Sequence, residues 1–454
     1  MTSGTRAEAG SSPGAAGSGP APLQTKSLAQ YGFIAMPLAC AGLPVYLHAP
    51  DYYATTLGQS LTALGLVLLA LRFIDAFQDP FIGSVSDTFH KYRQLILIIG
   101  MVLLGAGFWM IFNPFAPAPL TWFAISVFLC TTGFSIVTIN LQALGGTWVS
   151  TTHDRTRITG WREGFGLIGL LVASITPTLL GVNADPDRAF SLMSLLYFPL
   201  LFFGGFLLLR WMRTAHISKP ADSYSLPGWK DIVSDPWRRM FFAISLLNVF
   251  ASSLPAVLVM FFIRDRLNAE EYAGLFLLIY FLSGALSMFV WQYLSRQVGK
   301  VRAWSLSMAV AILTFVWAAL LGPGDIYPYA AVCALSGLAL GADLAIPPSI
   351  LADHISQTKR QSEASRMFSM MTLISKAAFA LATGLALPAL GLVGYKPGGP
   401  MTETLGLSLS IAYAAVPSAL KAATLFWVLA EESALSLDRK DEPPFSKRPL
   451  KPAD

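Results

Sequence analysis

RFIDAFQDPFIGSVSD, residues Arg72–Asp87, closes an apolar run that begins near Gly58. Arg72, Asp75 and Asp79 are spaced i, i+3, i+7, which at about 100° per residue sets all three on one helical face. A charge at membrane depth costs at least ~2.5–3.5 kcal/mol even on the lenient insertion scale. Three on one face are tolerable only where they meet each other, a polar partner or a water-filled cavity. The stretch therefore reads as part of an ion or substrate path. The competing reading is a structural Arg–Asp pair that locks helices together.

The rest of the chain supplies the membrane. Of 454 residues, 54% are hydrophobic and only 13% charged, against roughly 25% charged in soluble domains. Apolar runs of bilayer length recur from Leu28 to Leu429, and we read twelve spans from Leu28–His48 to Leu405–Ala430. The expected fold is an all-α membrane protein of twelve transmembrane helices in two six-helix halves. Its parts are a disordered tail (1–27), a first half (28–213), a central loop (214–236), a second half (237–432) and a polar, basic tail (433–454). Lys91, Arg93, Arg155, Arg157, Arg210, Arg213, Arg296, Lys300, Arg302, Lys359, Arg360 and Arg366 fall in one set of connections, with both tails. The opposite set holds only Arg188, Arg264, Arg266 and Lys396. That bias predicts cytoplasmic termini and explains the net charge of +5, so no nucleic-acid partner is implied. Cys40, Cys130 and Cys333 all lie in apolar runs, without metal-ligand spacing, and read as small core residues.

A partial echo links the halves. GSVSDTFHKYR after span two resembles Ser295–Arg302 after span eight, with Gly83 opposite Trp291 and Asp87 opposite Ser295. Asp75 and Asp79 have no acidic counterpart, so the acidic site belongs to the first half. Two six-span halves with a midplane site is the layout of alternating-access carriers.

Other polar groups fall inside spans. Arg72, Lys376 and Lys421 balance Asp75, Asp79 and Asp343, as expected of groups that neutralise one another in low dielectric. Ser135, Thr138 and Gln142 repeat the i, i+3, i+7 spacing in span four; such hydroxyls either face a site or bond back to their own helix. Ser365, Ser369, Thr372 and Lys376 share a face of span eleven. Lys376 is about ten residues, or ~15 Å, from the basic end, too deep for easy snorkelling. Lys421 is shallower, and both snorkelling and a buried role stay open. Asp343 occurs in GADLAIPP, where Pro347 and Pro348 should break or kink the helix and free carbonyls. Gly83, Asp87, Lys91 and Arg93 form a candidate cytoplasmic gate that looks like the loop motif of the major facilitator superfamily.

YGF (Tyr31–Phe33), RFIDAFQDPFIG (Arg72–Gly83), DRTRITGWRE (Asp154–Glu163), Ala352–Asp353, the Lys376 segment and GYKP (Gly394–Pro397) together resemble the glycoside–pentoside–hexuronide:cation symporters, the melibiose permease-like family. The resemblance implies that Asp75 and Asp79 are cation-site carboxylates, that Ser135 supplies a hydroxyl beside the cation, and that Lys376, with Arg72, pairs with the carboxylates when the cation is absent. It also implies an important role for Arg162. The sugar half of the pattern differs. Ala39 and Thr138 stand where melibiose permease has its two sugar-binding aspartates, and Gln142 where it has a tryptophan. We therefore expect Asp343, Arg162, Thr138 and Gln142 to line a different substrate cavity.

The expected function is cation-coupled symport of a sugar-like solute across a bacterial inner membrane, by a monomer. The coupling ion is H⁺ or Na⁺, with Na⁺ held at Asp75 and Asp79, and no other cofactor is expected. The alternative is a carrier of a lysolipid-like amphiphile or cell-wall fragment in the same fold. No catalytic constellation appears, because His48, His90, His153, His216 and His354 are dispersed.

Overall fold

A computed structural model describes residues 23–115, 117–182, 184–218, 229–395 and 400–436. Most of the two tails and the middle of the central loop, with Lys396 and Pro397 of the GYKP segment, lie outside the described residues.

Twelve long helical segments follow in order. The first half holds α1 (Thr25–Ala54), α2 (Leu61–Thr88), α3 (His90–Ile111), α4 (Pro119–Thr147), α5 (Thr152–Leu179) and α6 (Pro186–Thr214). The second holds α7 (Pro236–Arg266), α8 (Glu270–Val298), α9 (Lys300–Leu320), α10 (Ile326–Gln357), α11 (Gln361–Leu392) and α12 (Glu403–Ala430). Among the described residues, eleven of these are long and apolar enough to cross a bilayer. The remaining one, α2, is 28 residues long, and it is the one interrupted by Arg72, Asp75 and Asp79.

Local sequence explains where the helices begin. Pro119, Pro186 and Pro236 each open a helix, where a missing N–H costs nothing. Asp185 and Asp235 cap the next turn by accepting from the N–H of Arg188 and Arg238. Ser60 does the same for α2, accepting from Ala63 N. Gly299 takes φ +87°, which lets the chain reverse between α8 and α9.

The apolar side chains divide between the halves. One core cluster runs within Leu28–Trp211, another within Leu254–Ala414. A third joins the halves, grouping Ala143 of the first with Trp291, Ile350 and Phe368 of the second. Helix α2 shows the division of labour most clearly. Phe73, Phe77 and Phe81 are exposed at i, i+4, i+8, as a lipid-facing stripe requires. Asp75 and Asp79 lie on the opposite face and are buried.

The break expected at the paired prolines does not occur. Helix α10 runs unbroken through Pro347 and Pro348. Prolines are tolerated in membrane helices because neighbouring helices and hydroxyl side chains take up freed backbone groups. A neighbouring helix also bonds to the backbone of this segment, Thr159 of α5 donating to the carbonyl of Ala345 at 2.7 Å, although the carbonyls the prolines free are those of Asp343 and Leu344.

Candidate transport site

Lys376 of α11 is the centre of the first cluster. Its Nζ lies 2.8 Å from Asp75 Oδ2 and 2.8 Å from Asp79 Oδ2. It also donates to Ser135 Oγ at 3.0 Å and to the Asp75 carbonyl at 3.3 Å. Ser135 donates in turn to Asp75 Oδ1 at 3.2 Å, and Gln78 Nε2 donates to the same oxygen at 2.8 Å. Thr132 Oγ1 holds Gln78 by donating to Oε1 at 3.0 Å. Asp79 is fully buried, and its Oδ1 has no hydrogen-bond partner among the described residues. The carboxylates belong to the first half and the ammonium to the second, so the cluster spans the interface. With all three groups ionised it carries one net negative charge.

The structure brings Asp75, Asp79, Ser135 and Lys376 together and sets Arg72 apart. The Arg72 guanidinium sits over the Tyr46 ring, 4.8 Å from its centroid, and 5.6 Å from that of Phe379. Aromatic faces attract a cation through their quadrupole, so Arg72 is stabilised without joining the carboxylates. Tyr46 is on α1 and Phe379 on α11, so this contact too crosses the halves.

A cavity of about 680 Å³ lies beside this cluster. Thr138, Gln142, Arg162 and Asp343 all line it. Most of its wall comes from the second half and is apolar or aromatic, with Phe276, Phe315 and Tyr413 among the lining residues. Arg162 is engaged by its neighbour, donating from Nε to Glu163 Oε1 at 2.9 Å. Thr138 Oγ1 and Gln142 Oε1 have no protein partner among the described residues, so Thr138 does not bond back to its own helix.

Asp343 is held on three sides. Lys421 Nζ pairs with its Oδ2, while Trp304 Nε1 and Asn248 Nδ2 donate to Oδ1 at 3.1 and 3.3 Å. Lys421 also donates to Ser252 Oγ at 3.0 Å. Lys421 thus has a buried role, 6% exposed, and does not snorkel.

The halves close together at the end bearing the basic connections. Asp87 accepts from the backbone N–H groups of Ser365 and Arg366, both at 3.0 Å, at the start of α11. Arg93 lies 3.6 Å from the Asp87 carboxylate and donates to Ser365 Oγ at 2.9 Å. Gly83 is a point of close approach: a Cβ there would stand 2.5 Å from Ser369 Oγ and 3.0 Å from the Ser365 carbonyl. Lys91 is exposed and takes no part in these contacts. Across the same end, Arg155 Nη1 meets Asp353 Oδ1 at 2.6 Å, and Lys300 Nζ meets Oδ2 at 2.6 Å. The sequence pointed to DRTRITGWRE and to Ala352–Asp353 separately; the structure shows that Arg155 of one binds Asp353 of the other. Arg238 and Glu363 form a further buried pair at 2.9 Å.

Two helical halves closed at one end, with a charged cluster and a cavity between them, define a membrane transporter of the major facilitator fold. The chain belongs to the MFS/sugar transport protein family, whose model matches residues 29–430. It is similar to the uncharacterized symporter YjmB of Bacillus subtilis, 22% identical over 400 residues, covering 82% of this chain and 85% of that one. Among solved structures it is similar to a bacterial homologue of the iron transporter ferroportin in an outward-facing state. That match has a TM-score of 0.71 and 16% identity, over 90% of this chain and 100% of the other. It is also similar to the Escherichia coli fucose:proton symporter FucP, with a TM-score of 0.63 and 14% identity over 88% and 97%. At these identities the structural likenesses speak for the fold alone.

Proposed function

We propose that this transporter moves a small, sugar-like solute together with one monovalent cation, H⁺ or Na⁺, by alternating access. The observation that carries the reading is Lys376, which reaches from the second half into the Asp75–Asp79 pair of the first. An arriving cation takes over the charge that the ammonium neutralises, and so favours release of Lys376 and a change in how the halves meet. The cation shifts the two conformations only by its differential affinity for them. Two carboxylates and a hydroxyl suit either ion: a proton on Asp79 or Asp75, or Na⁺ among hard oxygen ligands. The name of the Bacillus relative, a symporter, and the residues shared with the glycoside–pentoside–hexuronide:cation symporters support this reading. The solute occupies the cavity lined by Thr138, Gln142, Arg162 and Asp343.

The aromatic wall of Phe276, Phe315, Phe379 and Tyr413 favours a second reading, in which an amphiphile or cell-wall fragment lies along the second half. One experiment separates the two. Purified protein in liposomes, given an imposed H⁺ or Na⁺ gradient and a panel of labelled sugars and lysolipids, is expected to accumulate a sugar with one of the gradients. Accumulation of lysolipids alone selects the amphiphile, and no gradient-dependent uptake of any compound rejects symport.

We further propose a bacterial inner membrane location with both termini in the cytoplasm, which makes the closed end cytoplasmic and the conformation outward-facing. A cysteine placed at Ser223, in the central loop outside the described residues, is expected to react with a membrane-impermeant reagent only after cells are opened. The three native cysteines are buried and give little background. Labelling in intact cells reverses the orientation.

A further inference from the structure

We infer that Asp343 and Lys421 form a charge-selection pair, which makes the solute cavity electroneutral and restricts it to net-uncharged solutes. The inference rests on the transport reading above and names the substrate class of the same cavity.

The two lysine clusters look alike but differ in one decisive way. Lys376 joins carboxylates of α2 to a hydroxyl of α4 from the other half of the molecule. Lys421 joins a carboxylate of α10 to a hydroxyl of α7, and all three helices belong to the second half. Rocking of one half against the other makes or breaks the first pair. It leaves the second intact, because both partners move together. The Asp343–Lys421 pair is therefore poorly placed to report on conformation, yet it lines the cavity. Its work is on the ligand.

The charge at the cavity wall then follows from the pairs. Asp343 cancels Lys421. Across the cavity, Glu163 cancels Arg162 within the first half. Neither pair leaves a surplus. The other polar residues at the wall are neutral: Thr138, Gln142, Ser245, Asn248 and Ser418 line the cavity, and each has a buried oxygen with no hydrogen-bond partner among the described residues. Ser245 is only 3% exposed and Asn248 3%, and such buried polar atoms are costly unless something bonds to them. They suit the hydroxyl groups of a ligand. A net charge on the ligand has no such welcome. To find a counterion it must split Asp343 from Lys421 and strand the other partner in a mostly apolar enclosure, which is strongly unfavourable. An uncharged polyol bonds to these neutral side chains and leaves both pairs whole.

The test uses three matched probes: a hexose accumulated by the reconstituted protein, the corresponding hexuronate, and the 2-amino-2-deoxy sugar. The wild-type protein is expected to move the hexose roughly 100-fold or more faster than either charged analogue. Asp343→Asn leaves Lys421 unopposed and is expected to shift preference toward the uronate by at least about tenfold. Lys421→Gln leaves Asp343 unopposed and is expected to shift it toward the amino sugar. The double variant is neutral again and is expected to return to the hexose. Binding of the coupling ion without sugar, at Asp75 and Asp79, reports whether each variant is folded. If the single variants do not fold, the wild-type ranking decides alone, and equal rates for hexose and uronate overturn the proposal. Single variants that fold but keep the wild-type ranking also overturn it. Failure of all three sugars to accumulate under any gradient overturns the transport reading itself, a distinct outcome.

Discussion

Asp79→Asn is expected to reduce gradient-driven accumulation to simple equilibration, an inside-to-outside solute ratio near one, while downhill exchange of the solute continues. Asp79 is the more enclosed of the two carboxylates, fully buried, with Oδ1 lacking a hydrogen-bond partner among the described residues. A carboxylate oxygen in that position is poorly satisfied until a proton or metal cation arrives. In the wild-type cluster two carboxylates face one ammonium, and in the proposed coupling step the surplus negative charge is what draws the cation in. With Asn at 79 the cluster is neutral, because Asp75 and Lys376 cancel, and a cation gains little by entering. Coupling is a difference of affinities between states. Once cation affinity is gone the gradient has nothing to act on, whereas the solute cavity, built around other residues, still opens alternately. Asp75→Asn should act likewise, with one further loss, since Asp75 Oδ1 also accepts from Ser135 and Gln78. The measurement is a pair of assays on the same liposomes: accumulation against an imposed gradient, and exchange at equal concentrations. Wild-type accumulation by both variants would remove the carboxylates from the coupling step.

How much of this was open to reading in the chain depends on the range over which a constraint acts. The twelve spans are local: length, hydropathy and cap residues such as Asp185 and Asp235 mark them. The one-face grouping of Asp75 and Asp79 is local too, because helical spacing alone puts them together. That Lys376 serves as their partner was suggested by its depth and by family resemblance, not by spacing. The Asp343–Lys421 pair was not legible, although its necessity was. A buried aspartate needs a cation, but three cations stood available, and nothing in the residues says that Lys421 lies within reach while Arg72 does not. Arg72 found a solution that charge balance hides, two aromatic rings from α1 and α11. The Arg155–Asp353 contact belongs to the same class, with partners nearly two hundred residues apart (|i−j| = 198). At Pro347 and Pro348 the local rule allowed a break that the structure does not show. A proline removes a donor wherever it stands, but whether the helix breaks depends on the helices packed around it, and those come only with the packed bundle.

Asp87→Ala is expected to release the closed end, raising the population open there by roughly 100-fold. The carboxylate crosses from the first half to the second and ends at the first α-helical turn of α11, which begins at Ala364, where it accepts two backbone N–H groups of the kind that an α-helix start leaves without a partner in the helix. Such an anion also meets the positive end of the helix dipole. Hydrogen bonds to a charged group contribute about 1.5–3 kcal/mol each. Losing both, and stranding Arg93 without its carboxylate, costs the closed state about 3 kcal/mol, or a factor of ~100 in the equilibrium. Gly83→Leu should shift the balance in the same direction by a different route. Its side chain has no room beside Ser369 Oγ and the Ser365 carbonyl, and the backbone cannot yield without moving α11 away from α2. The readout is the reactivity of a cysteine at Ser349 in the purified protein. Ser349 is fully buried at this end, its hydroxyl 3.1 Å from that of Thr156. A thiol there becomes reachable only when the halves part. With opening and closing fast relative to the thiol reaction, its rate rises with the open population, by up to about two orders of magnitude for either variant. An unchanged rate in both would mean that Arg155, Asp353 and Lys300 hold this end without help from Asp87. A rise with Gly83→Leu alone would mean that the carboxylate orders α11 locally and that contact at the glycine governs closure.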